Sequence, residues 1–136
     1  MKKIIAISTI ALLAACAPAS TTSSFDMDFA PASPLGARIT GSGTLAASSS
    51  GSSRIRLELR GLPASSSLGV GVYVGSCTNQ GHLVIALPDV RTDVGGNSSL
   101  DSNFKNGILP AQAYVNVFQK TAAAGYGTVL ACANIK

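Results

Sequence analysis

Residues 53–62, SRIRLELRGL, alternate with a period of two: Ile55, Leu57 and Leu59 fall between Arg54, Arg56, Glu58 and Arg60. Side chains of an extended chain point to opposite faces in turn, so this segment has one apolar and one charged face and fits a half-buried strand. Gly61, Leu62 and Pro63 then stop it. Seven further segments have strand length and composition: SFDMDFA (24–30), ARITGSGTL (37–45), LGVGVYV (68–74), HLVIAL (82–87), SSLDSNF (98–104), AYVNVF (113–118) and GTVLACANI (127–135). Clusters of Gly, Asn, Ser and Pro separate them, and no segment carries a helical period. Short strands joined by turns predict an all-β antiparallel sandwich or barrel. At 136 residues the chain is long enough for one domain with a real core. With 12% charged residues and no Trp, its composition suits a β-rich extracytoplasmic protein better than a helical cytosolic enzyme.

The first sixteen residues, MKKIIAISTIALLAAC, point to the same compartment. Lys2 and Lys3 form a basic start, Ile4 to Leu13 an apolar stretch too short to span a bilayer comfortably, and Ala14 and Ala15 a small-residue cleavage region. This pattern is an export signal. Its end, Leu13-Ala14-Ala15-Cys16, resembles the bacterial lipobox, in which the cysteine is acylated and becomes the first mature residue. The expected organisation is therefore a signal peptide at 1–15 and a lipidated flexible tether at 16–35. The barrel domain follows at 36–136, its first strand beginning near 24 if SFDMDFA joins the sheet. Several acyl chains exceed the marginal hold of one, so a stable membrane anchor at Cys16 is expected. Residue 17 is Ala, not Asp, which favours the outer membrane in a Gram-negative envelope. Loss of Lys2 and Lys3 leaves eight basic against six acidic side chains, so the net charge falls from +4 to about +2. Arg54, Arg56 and Arg60 around Glu58 make a local basic face, expected to be the solvated side of a strand.

Five segments, taken in order, resemble Cu/Zn superoxide dismutase and specifically its small bacterial relatives. LRGLP (59–63) is similar to the family's strand-ending Gly-Leu-Pro segment. GVGVYVGSC (69–77) is similar to its Gly-Phe-His-Val-His segment leading to the first disulfide cysteine. LPDVRTDVGG (87–96) is similar to its Leu-Gly-Asn-Val-x-x-Asp-x-x-Gly turn, AYVNVF to the strand that carries another copper histidine, and VLACANI (129–135) to its Arg-Leu-Ala-Cys-Gly-Val-Ile ending. The matches run through roughly residues 36–136. The resemblance implies a Greek-key β-barrel of about eight strands and a disulfide between Cys77 and Cys132. With Cys16 lipidated these two are the remaining cysteines, and an oxidising envelope permits the bond. The residues alone also allow two buried free thiols.

The family's metal ligands do not come with the fold signature. Copper there is held by imidazoles, which suit the metal because neutral nitrogen binds both of its redox states. This chain has one histidine. Gly71 and Tyr73 stand where the two histidines of His-x-His are expected, and Phe118 where a third is expected. His82 lies near the bridging position but one residue too close to Cys77. Ala86 occupies the place of the zinc aspartate, and Val129 that of the arginine three residues before the second cysteine. The segments 78–86 and 119–131 are shorter than the family's zinc and electrostatic loops. No copper, zinc or other cofactor is expected. Tyr73 and Phe118 are expected to fill the volume of the absent site with aromatic rings.

Other constellations are weak. No Ser/His/Asp arrangement is identifiable, and GVGVYVG lacks the strand-to-helix context and lysine of a phosphate loop. Asp26 and Asp28 alternate on one strand face and are expected to face water. The expectation is a non-catalytic superoxide dismutase-like envelope lipoprotein, membrane-anchored, with a structural or interaction role toward an envelope protein and no nucleic-acid partner. Two alternatives stand beside it. One is a rebuilt metal site or enzyme using His82, Tyr73 and Asp89 or Asp93. The other is a small-ligand module with a pocket of Tyr73, Phe118 and Tyr126 at the former active-site end.

Overall fold

The alternation at 53–60 is realised in the computed structural model, which describes residues 21–105, 109–121 and 127–136. In strand β3 (Ser52–Arg60), Ser53, Ile55, Leu57 and Leu59 are buried, and Arg54, Arg56, Glu58 and Arg60 are exposed. Gly61 then takes a left-handed φ of +71°, where a β-carbon would run into the carbonyl of Arg38, so a glycine turns the chain out of the sheet.

The other strands are β1 (Thr22–Pro31), β2 (Thr40–Ser48), β4 (Ser67–Gly75), β5 (Gln80–Arg91), β6 (Ser98–Lys105), β7 (Ala113–Gln119) and β8 (Val129–Asn134). All eight expected strands are present. The largest shifts are at β2, which starts three residues later than ARITGSGTL because Pro34–Gly36 forms a 3-10 turn, and at β5, which runs past HLVIAL to Arg91. The SFDMDFA segment is a full member of the sheet from Thr22, with Met27 and Phe29 inside and Asp26 and Asp28 facing water as expected.

The strands lie in the order β5-β4-β7-β8-β1-β2-β3-β6, each antiparallel to its neighbours. β1 joins the two halves. Its first part pairs with β2 from Thr22 to Phe29, and Ala30 and Pro31 pair with β8. Asp26 and Lys136 also exchange two backbone hydrogen bonds of 3.0 and 3.1 Å. The sheet curls into a nearly closed barrel whose open seam lies between β5 and β6. Around it, β4, β5 and β6 follow as a meander, β3 lies beside β6, and β7 returns beside β4, which is Greek-key connectivity.

The core is the set of inward residues from every strand. Met27, Leu45, Ile55, Leu57, Leu59, Leu68, Val72, Val90, Val115 and Leu130 are essentially without solvent contact. At roughly 25 cal/mol per Å² of apolar surface removed from water, such residues supply most of the folding drive. Cys77 and Cys132 form a disulfide, S–S 2.04 Å, across 55 positions of sequence.

The basic face expected around Glu58 is exposed, but two of its arginines are engaged. Arg54 donates to both carboxylate oxygens of Asp101, at 2.6 and 2.5 Å, and Arg56 reaches the same carboxylate at 3.2 Å. These hydrogen bonds hold the Asp101 carboxyl below its ordinary range and raise the Arg54 guanidinium. The arginine stripe is thus partly neutralised from the neighbouring strand β6.

Candidate functional site

One sheet face accounts for most of the positions singled out in the sequence. β7 is buried at six successive residues, Ala113 to Phe118, and β4 at five, Leu68 to Val72. A barrel strand with only its inner face covered would alternate, so the outer face of this pair is covered too. Val70, Val72, Val115 and Val117 point inward. Gly69, Gly71 and Tyr73 of β4 lie on the outer face with Tyr114, Asn116 and Phe118 of β7.

Strand register brings the expected ligand positions together there. Gly71 is paired with Ala86 on one side and Asn116 on the other; Asn116 in turn pairs with Cys132. Gly69 is opposite Phe118, and Phe118 opposite Val129. Tyr73 stands between Leu83 and Tyr114. The five positions Gly71, Tyr73, Ala86, Phe118 and Val129 therefore occupy neighbouring rows of one four-stranded face.

The face is packed by its own side chains. The Tyr73 and Tyr114 rings stack with centroids 5.4 Å apart and planes at 21°. The Phe118 ring lies over Gly69, occupying the place a β-carbon would need. A β-carbon at Gly71 would stand 2.7 Å from Leu83 Cδ1 and 3.0 Å from Tyr73 Cε2. The Phe118 ring stands over Gly69, and Leu83 with the Tyr73 ring stands over Gly71. Tyr114 is 1% exposed, and burial raises its phenol above the ordinary value, an effect opposed by the backbone N–H of Gly81.

Asn116, at the centre of the face, is 3% exposed, and its Oδ1 has no hydrogen-bond partner among the described residues. Tyr114, Asn116 and Leu83 were not singled out from the sequence. The signal was present in AYVNVF, an apolar run broken by one polar residue, which is the mark of a strand covered on both faces.

The alternative ligand set is not assembled. Asp89 accepts an ion-paired hydrogen bond from Lys120 at 2.6 Å. Asp93 closes the β5–β6 turn, accepting from the backbone N–H groups of Gly95 and Asn97 at 2.8 and 2.9 Å, and these contacts lower its carboxyl below the ordinary range. His82 is exposed at the far end of β5, about 20 Å from Asp89 at a strand's rise per residue. Among the described residues no cluster of three or more His, Cys, Asp or Glu side chains has the geometry to hold a metal ion. The residues at the resemblance's ligand positions carry no imidazole or carboxylate, so they do not fit copper or zinc. Of the expected small-ligand pocket, Tyr73 and Phe118 are side-chain filler on this face, and Tyr126 lies outside the described residues. What remains open beside Phe118 is a hollow of about 200 Å³ between Gly69, Ala86, Asp89 and Lys120. Cys16 also lies outside the described residues, and among those described no helix is long and apolar enough to cross a membrane.

The fold and this face define a disulfide-linked, eight-stranded antiparallel Greek-key barrel with a packed aromatic outer face. Compared with protein-family models and with curated proteins, the chain matches none.

Proposed function

We propose that this chain is a non-catalytic, superoxide dismutase-like lipoprotein of the bacterial envelope, anchored through Cys16 and serving a structural or interaction role. One observation carries the non-catalytic part. Gly71, Tyr73, Ala86, Phe118 and Val129, the positions where the resemblance expects ligands and the arginine, are neighbours on one face; none carries an imidazole, carboxylate or guanidinium, and hydrocarbon and aromatic rings cover much of that face. A side chain added at position 71 would first meet the tip of Leu83 and the edge of the Tyr73 ring, and Leu83 would have to shift to admit it. The tip of Leu83 and the edge of the Tyr73 ring stand over Gly71, which adds to the missing donor atoms in support of this reading. Ordered sequence matches, the Cys77–Cys132 bond and the Greek-key strand order support the family reading. Fold resemblance without the site is no warrant for the enzyme's chemistry.

Elemental analysis after incubation of the purified chain with copper and zinc, with a superoxide assay on the same sample, tests this. The expected result is substoichiometric metal and no dismutase activity. One tightly bound metal per chain, with activity abolished by a chelator, would overturn the proposal. Intact mass of the envelope-extracted protein tests the anchor, with acylation at Cys16 expected.

A further inference from the structure

The chain enters the barrel at Thr21, where its N–H donates to Ser49 Oγ at 2.9 Å and its carbonyl accepts from the Ser49 N–H at 2.9 Å. Ser23 is paired with Ala47 at the same end. Ala47 is part of an apolar hollow of about 350 Å³ that opens there, lined chiefly by Phe25, Leu109, Pro110, Ala113 and Ile135. Apolar cavities from roughly 300 Å³ upward are of ligand size. Two exposed lysines lie at the same end of the barrel without lining the hollow, Lys136 facing a separate one beside Asp28. Lys105 pairs with Ser52 beside the hollow's Ser53, and Lys136 follows Ile135. Neither makes an ion pair among the described residues, where the basic partners of the salt bridges are Arg54, Arg56 and Lys120.

The tether is short. Five residue steps separate Cys16 from Thr21, a reach of at most about 18 Å even fully extended. A cysteine acylated at the bilayer surface therefore keeps this end of the barrel within about 18 Å of the headgroups. Apolar surface flanked by lysines is the composition that binds anionic bilayers.

We infer that this barrel end docks on the membrane, with an acyl chain of a bilayer phospholipid entering the hollow and Lys105 and Lys136 meeting anionic headgroups. The inference rests on the lipoprotein reading above. The opposite end supplies the control. Val94, 89% exposed on the turn before β6, is separated from Lys105 by the length of that strand, about 25 Å.

The chain has no Trp, so single tryptophans report cleanly. Full-length acylated protein carrying Leu109→Trp, or Val94→Trp, is reconstituted into phosphatidylcholine and phosphatidylglycerol vesicles with brominated acyl chains. Fluorescence of the Leu109→Trp protein should fall about twofold relative to unbrominated vesicles, while that of Val94→Trp is unchanged. Lys105→Glu with Lys136→Glu should reduce the quenching, since each lysine near an anionic surface shifts partitioning about fivefold. If Leu109→Trp fails to fold, Ala111→Trp on the exposed rim carries the measurement. Equal quenching at both ends, or none at residue 109, would overturn the docking. The latter includes the case in which the protein's own acyl chain fills the hollow. A Cys16 found unacylated by mass spectrometry would instead overturn the lipoprotein reading, and the inference with it.

Discussion

If Gly69 is small because the Phe118 ring lies on it, the two positions must be energetically coupled. Gly69 has no left-handed φ, so its backbone accepts alanine, and the cost of Gly69→Ala is steric. The new methyl would meet Phe118 Cδ2 at 2.8 Å, with two other ring atoms closer still. Overpacking of this kind costs about 1–3 kcal/mol. Phe118 is 3% exposed, so Phe118→Ala removes a buried ring at about 3–4 kcal/mol. In the double variant the clash is gone, the methyl occupies part of the vacated space, and replacing glycine in a compatible conformation returns about 0.4–1 kcal/mol. The double variant should therefore be about as stable as Phe118→Ala alone, a coupling of about −1 to −3 kcal/mol. Guanidinium unfolding of the four proteins by far-UV circular dichroism, with the disulfide intact, measures it. Additivity to within about 0.5 kcal/mol would refute the packing of Phe118 on Gly69, and with it the covering of this row of the face.

Two further outcomes follow from the geometry. Replacing Cys77 and Cys132 together by alanine should cost about 4 kcal/mol in the same denaturation assay, because the crosslink spans 55 positions and restricts the unfolded chain. Stability should also depend on pH at both extremes. Asp93 and Asp101 have depressed carboxyl values when folded, so their contribution is present above the unfolded value near about 4 and is lost as pH falls through the folded values. Tyr114 is raised, so its contribution is present below about 10 and is lost as pH rises beyond that. Thermal melts of Asp93→Asn should show a shallower acid loss, and those of Tyr114→Phe a shallower alkaline loss; unchanged slopes would refute the assignments.

The strands were legible in the sequence because each local signal agreed with the global fold. Alternation marked β3, Asp26 and Asp28 around Met27 marked β1, and glycine or proline punctuated each end. Less legible was β5. HLVIAL reads as a six-residue run, whereas the strand spans Gln80–Arg91 with three register shifts against β4, one of them between Leu87 and Val90, and these break the period-two pattern that sequence analysis relies on. The filled outer face was half visible. Tyr73 and Phe118 were expected as filler, but that Tyr73 stacks on Tyr114 and that Leu83 blocks Gly71 depends on cross-strand register, which no single segment specifies.

Asn116 links the packing of this face to the chemistry proposed to be absent from it. A buried amide oxygen without a partner costs about 1–3 kcal/mol, more than most single surface interactions supply. Its register neighbours are Gly71, which offers no side chain, and Cys132, whose sulfur is held in the disulfide. This buried amide thus sits between two positions whose side chains cannot donate to it. A neutral amide in that place can neither bind a redox metal as imidazole does nor shuttle a proton near neutral pH. Tyr114 beside it does not supply that proton either, because burial moves its phenol further from neutrality. The polar residue here thus offers neither acid nor base near neutral pH. Around Asn116 the outer face of β4 and β7 is therefore built as packing, and the part of it that stays open is the hollow beside Phe118.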